Sequence, residues 1–121
     1  MTESLRIEIF PADLDRSITF YEAVGFKLTG RSDGPPRYAS LRLGDVRLGA
    51  AEAIAVDPRR RAYPVGMEVV IEVDDVQKVR DGVAEAGVAL TEDLRQRPWG
   101  LVDFRVTDPD GYYYRFTNRR A

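Results

Sequence analysis

Two rhythms of apolar residues follow one another along this chain, and the sequence of rhythms occurs twice. Near the start, Leu5, Ile7 and Ile9 alternate with Arg6, Glu8 and Phe10. A period of two predicts a half-buried strand. From Asp13 the period lengthens, with Leu14, Ile18 and Tyr21 at i, i+4 and i+7. That spacing predicts a helix with one apolar face. Asp13 can accept from the free N–H groups of the first turn, and Gly25 suits the left-handed residue after the last. A short apolar run, Phe26-Lys27-Leu28, predicts the next strand. A hairpin follows, Tyr38 to Leu43 and Val46 to Leu48 about a Gly44-Asp45 turn.

The second half repeats this order. Val69, Ile71 and Val73 alternate with Glu68, Val70 and Glu72. Val76, Val79, Val83 and Ala86 mark a helical face, and Asp75 and Gly87 lie twelve positions apart, as Asp13 and Gly25 do. Val88-Ala89-Leu90 predicts the following strand. A second hairpin runs from Leu101 to Val106 and from Tyr112 to Phe116. Its turn, Asp108-Pro109-Asp110-Gly111, combines a preset φ with a residue that tolerates positive φ. The fold class is therefore α+β, with two tandem βαβββ modules in one domain, 1–121. Module one spans 1–51, a linker 52–66, and module two 67–121. The linker carries Arg59, Arg60 and Arg61. A solvated charge run is the simpler reading of these, ahead of an anion site or a contact with an acidic partner.

Composition narrows the chemistry. The 121 residues include neither histidine nor cysteine. That removes a thiol nucleophile, a Ser-His-Asp triad, a histidine base and a Cys/His zinc site. Apolar residues at 44% fit a globular domain, and a net charge of −2 gives no case for binding nucleic acid. No apolar run is long enough to span a membrane. The first residues lack a basic segment followed by an apolar run, so no secretion signal is expected and the cytoplasm is the default location.

Several segments together resemble the vicinal oxygen chelate superfamily of glyoxalases, bleomycin-resistance proteins and dioxygenases. They are Asp13-Leu14-Asp15-Arg16-Ser17-Ile18-Thr19-Phe20-Tyr21 with Gly25-Phe26, Gly44-Asp45-Val46-Arg47-Leu48, Val73-Asp74-Asp75-Val76, Trp99-Gly100 and Asp108-Pro109-Asp110-Gly111-Tyr112. The resemblance implies that the modules curve an eight-stranded mixed sheet around a cavity, with helices outside. It also implies a homodimer, which would cover exposed strand edges. Metal enzymes of the superfamily draw ligands from the first strand of each module and the last strand of each hairpin. By register those positions fall on Arg6, about Gly49, Glu68 and Arg115. Two cations, a glycine and one carboxylate do not make a divalent site, so no metal and no cofactor are expected.

Strand alternation sets Arg6, Glu8, Phe10, Glu68, Val70, Glu72, Tyr113 and Arg115 on the face away from the helices. Arg6, Glu8, Phe10, Tyr38, Glu68, Trp99, Tyr113 and Arg115 are the candidate ligand-binding residues. Ionic groups beside aromatic rings suit a polar, partly planar small molecule. Mutual neutralisation of the four charged residues is the plainer alternative. Two functions follow. One is a metal-free small-molecule binder of the bleomycin-resistance type, with antibiotic sequestration as its specific form. The other is a metal-independent lyase, isomerase or hydrolase with a cavity glutamate, Glu68 or Glu8, as base and an arginine as anion anchor.

Overall fold

The computed structural model describes residues 4–53 and 68–119. The Arg59–Arg61 run lies outside the described residues. In the first unit the order is β1 (Arg6–Ile9), α1 (Leu14–Ala23), β2 (Lys27–Ser32), β3 (Tyr38–Leu43) and β4 (Val46–Ala51). In the second it is β5 (Val69–Val73), α2 (Val76–Glu85), β6 (Glu92–Gln96), β7 (Val102–Thr107) and β8 (Tyr113–Asn118). Each unit holds one four-stranded mixed sheet, ordered β1-β4-β3-β2 and β5-β8-β7-β6. The first strand of each runs parallel to the last, and the remaining pairs are antiparallel.

Both helices begin where their caps require. The Asp13 carboxylate accepts from the Arg16 N–H at 3.2 Å, and the Asp75 carboxylate from the Lys78 N–H at 3.1 Å. Gly25 and Gly87 follow the helices at φ 109° and 85°, a region closed to most side chains. Leu14, Ser17, Ile18 and Tyr21 are buried along α1, and Val76 and Val83 along α2.

Two expectations are corrected. Val88-Ala89-Leu90 is not a strand. Val88 still belongs to the helix exit, with its N–H bonded to the Val83 carbonyl at 3.3 Å. The strand forms instead at the polar residues Glu92–Gln96, with its register shifted between Glu92 and Arg95. It is an edge strand of its own sheet, and its polar side chains meet charged partners from α2 and the neighbouring loop. No apolar alternation therefore marks it. The second correction concerns the apolar positions of the first strand and of the second helix. Leu5 is 76% exposed and Ala86 is exposed, so neither joins the core, whereas Ile9, Ile71, Tyr114 and Phe116 do.

The two cores place their aromatic rings in different layers. In the first unit the sheet contributes Ile9, Leu41 and Leu48 with Ala39 and Ala50 at its centre. The rings come from α1 and the residue before β2, where Tyr21 meets Phe26 edge-on at 5.5 Å. In the second unit the helix side offers Val83, and the sheet supplies Phe104 stacked on Phe116 at 5.1 Å.

The chain leaving β4 is tied back to its own unit. The Glu52 N–H bonds to the Arg37 carbonyl and the Ala53 N–H to the Pro11 carbonyl. The Glu52 carboxylate takes the Leu14 N–H at the start of α1 at 2.9 Å and pairs with Arg37 at 2.6 Å.

Candidate functional site

The face of each sheet opposite its helix carries most of the candidate residues. Strand pairing sets what meets there. In the first unit Glu8 lies beside Gly49, and Gly49 beside Ser40. Arg6 Nε is 3.3 Å from a Glu8 carboxylate oxygen, and the Tyr38 hydroxyl donates to that same oxygen at 3.2 Å. Arg6, Glu8 and Tyr38 are thus brought together. Gly49 makes this possible, because a Cβ there would collide with both the Tyr38 hydroxyl and the Glu8 carboxylate. Burial, and then the neighbouring Glu8 charge, push the Tyr38 phenol above its ordinary pKa.

The second unit carries a denser cluster. Val70 lies beside Arg115, and Arg115 beside Arg105. At its base is Asp103, fully buried. Arg97 donates to one Asp103 oxygen through Nε at 3.0 Å and Nη2 at 2.7 Å, and also contacts Glu92. Those carboxylates, Asp103 foremost, hold the Arg97 guanidinium above its ordinary pKa. Arg105 and Arg115 stand 3.8 and 3.9 Å from Asp103. Glu68 lies above them, 3.2 Å from Arg115 and 3.9 Å from Arg105. Arg105 donates to the Tyr113 hydroxyl at 3.0 Å, and its guanidinium lies 5.9 Å from the centre of that ring.

Glu68, Arg115 and Tyr113 therefore share one cluster, with Arg105 as the link to Tyr113. Phe10 and Trp99 take no part in the polar contacts described. Phe10 follows β1 and is 46% exposed. Trp99 is 51% exposed on the turn between β6 and β7, which closes through Arg97 N–H to the Leu101 carbonyl at 2.7 Å. Sequence reading misses Arg97, Asp103, Arg105 and Glu92. The alternation Asp103, Arg105 was a signal, since it sets two opposite charges on one strand face. Only the register with β8 shows that Arg115 joins them.

The positions where metal-binding relatives carry ligands do not fit a metal. Arg6 and Arg115 are cations, Gly49 has no side chain, and Glu68 is engaged by Arg115. Among the described residues no group of three or more His, Cys, Asp or Glu side chains is placed to hold a metal ion.

Residues 4–116 match the family model described as Glyoxalase/Bleomycin resistance protein/Dioxygenase superfamily. The chain belongs to that superfamily. Solved structures show the same fold. A bleomycin resistance determinant encoded on transposon Tn5 superposes with TM-score 0.81 at 21% identity, covering 99% of this chain and all of that one. A bleomycin-binding protein complexed with bleomycin gives 0.77 at 21%, covering 98% and 100%. A superfamily member from Alicyclobacillus acidocaldarius gives 0.81 at 20%, covering 99% and 93%. A search of curated protein sequences finds no match. No helix among the described residues is long and apolar enough to cross a membrane.

Proposed function

We propose that this superfamily member is a metal-free small-molecule binding protein that holds its ligand against the open sheet faces. Antibiotic sequestration is the specific form of that function. The observation that carries the reading is the second unit's cluster. Arg105, Arg115 and Glu68 keep about a fifth of their side-chain surface exposed above a fully buried Asp103. Charged groups fixed from below and open above are a preorganised binding surface. Kinship with proteins that bind bleomycin supports the reading. We take the chain to act as a cytoplasmic homodimer.

Calorimetry and thermal denaturation across a panel of glycopeptide, quinone and peptide antibiotics test it. At least one compound is expected to bind with a dissociation constant of about 1 μM, near −8 kcal/mol. A panel in which nothing binds or raises the melting temperature overturns the reading.

A second reading has its own observation. Glu68 meets Arg115 through one oxygen at 3.2 Å and Arg105 through the other at 3.9 Å, and 23% of its side chain stays exposed, which leaves the looser oxygen open to act as a base. In that case Glu68→Gln abolishes turnover of the substrate and leaves its binding intact. Equal turnover by the variant ends this reading.

A further inference from the structure

We infer that the second unit's open face takes a carboxylate-bearing small molecule, seated between Arg105 and Arg115 in place of the Glu68 side chain. The inference rests on the binding function proposed above and names the ligand's chemistry.

Donor supply is the first argument. A guanidinium has five N–H donors and no acceptor. Arg97 spends its donors on Asp103 and Glu92 at hydrogen-bond distance. Arg105 and Arg115 do not. The contacts of Arg105 are one hydrogen bond to Tyr113 and two carboxylates at 3.8 and 3.9 Å. Arg115 has Glu68 at 3.2 Å and Asp103 at 3.9 Å. Among the described residues the Nε groups of both are buried without a hydrogen-bond partner. Buried charged donors left unpaired are costly, and an acceptor-only group relieves them.

Charge is the second. Three partly buried guanidinium groups, Arg97, Arg105 and Arg115, face three carboxylates, Asp103, Glu92 and Glu68, while the solvent-screened Arg95 reaches Glu92 from outside at 3.8 Å. Asp103 is sealed beneath them and Glu92 is claimed by Arg97 and Arg95. Glu68 sits just before β5, outside the strand, and of its two oxygens only the one facing Arg115, at 3.2 Å, is within hydrogen-bond distance, the other standing 3.9 Å from Arg105. Among the three it is the acid best placed to swing away. Its departure leaves one net positive charge, which matches a monoanion. A carboxylate also suits the planar fork of a guanidinium. The Tyr113 ring beside Arg105 adds an aromatic surface for the ligand's body.

The test uses benzoate and its neutral isostere benzamide, followed by NMR of the arginine Nε–H signals in the full chain. Benzoate is expected to move the Arg105 and Arg115 signals with a dissociation constant of about 1 mM, typical of a small fragment. Benzamide leaves them in place. Glu68→Gln removes the internal competitor and tightens benzoate about five-fold, the size of a partly exposed ion pair. Arg115→Gln weakens it about ten-fold. A gain of affinity in Glu68→Gln cannot come from a damaged fold, so that variant carries the decision. The inference is overturned if benzamide perturbs the signals as benzoate does, or if Glu68→Gln binds benzoate no tighter. Inorganic phosphate, run in parallel, is expected to bind more weakly, because it has no apolar body to lie against the Tyr113 ring. Tighter phosphate binding assigns the site to phosphate and overturns the carboxylate. If an antibiotic of the panel binds and benzoate does not, only this inference fails. If neither binds, the binding function falls with it.

Discussion

The two modules share a topology and differ in where they put volume and charge. Their sheet registers align them residue for residue. Gly49 pairs with Glu8 as Arg115 pairs with Val70, and Ser40 stands to Gly49 as Arg105 stands to Arg115. The same alignment sets Ala39 against Phe104, Ala50 against Phe116 and Tyr38 against Asp103. On the core side, module one sets Ala39 and Ala50 among the aliphatic residues of its sheet and a tyrosine on its helix, whereas module two sets Phe104 and Phe116 at those sheet positions and Val83 on its helix. The exchange keeps a large residue facing a small one across each core. On the open side, module one leaves glycine and serine at the centre, and module two fills the same positions with guanidinium groups.

Breaking the core side should give the largest effect. Phe104→Ala is expected to cost about 3–5 kcal/mol in chemical denaturation, because its ring is fully buried against Phe116. Adding Val83→Tyr moves bulk to the helix layer, as in module one, and should recover about 1 kcal/mol or more. No recovery means that the layers are not interchangeable. On the open side, Asp103→Ala leaves three guanidinium groups over an empty base. A loss of about 3 kcal/mol is expected, against less than about 1 kcal/mol for Tyr38→Phe at the aligned position. Equal losses would erase the contrast between the faces.

Gly49→Ala is a smaller test. Its Cβ must displace the Tyr38 hydroxyl and the Glu8 carboxylate, both flexible side-chain ends. A cost of about 1 kcal/mol is expected, the worth of their hydrogen bond, and it should vanish in a Tyr38→Phe background.

Acid should separate the modules least. The Arg80 guanidinium holds the Asp93 carboxyl down to about 2, and Arg31 and Arg37 lower that of Asp15. A carboxylate depressed on folding stabilises above its unfolded pKa and loses that contribution as pH falls towards its folded value. Stability should therefore decline from about pH 4 to about pH 2. Asp93→Asn should flatten this limb, as followed by acid titration of the far-ultraviolet signal. A limb unchanged in that variant places the sensitivity elsewhere.

The repeat, both helices and their caps were legible because Asp13, Asp75, Gly25 and Gly87 act locally. Strand β6 was not, because its residues answer to charges on other elements: Asp93 to Arg80 of α2, and Glu92 to Arg97. The candidate site was half legible for a similar reason. Alternation puts Glu68, Tyr113 and Arg115 on one face, but the sealed Asp103 under them depends on three arginines at different sequence distances. Nothing local distinguishes it from Asp108 or Asp110.

The carboxylate of Glu52 joins three things at once: the first turn of α1, the Arg37 guanidinium and the chain's way out of β4. Arg37 and the Leu14 N–H hold its pKa down, so it keeps that role into mild acid. Engineers would call it a single point of failure. In module two the aligned residue is Asn118, whose amide oxygen accepts the Val102 N–H at 2.9 Å. A mutational scan of the whole chain would then trace one spire at position 52 and another at the buried Asp103.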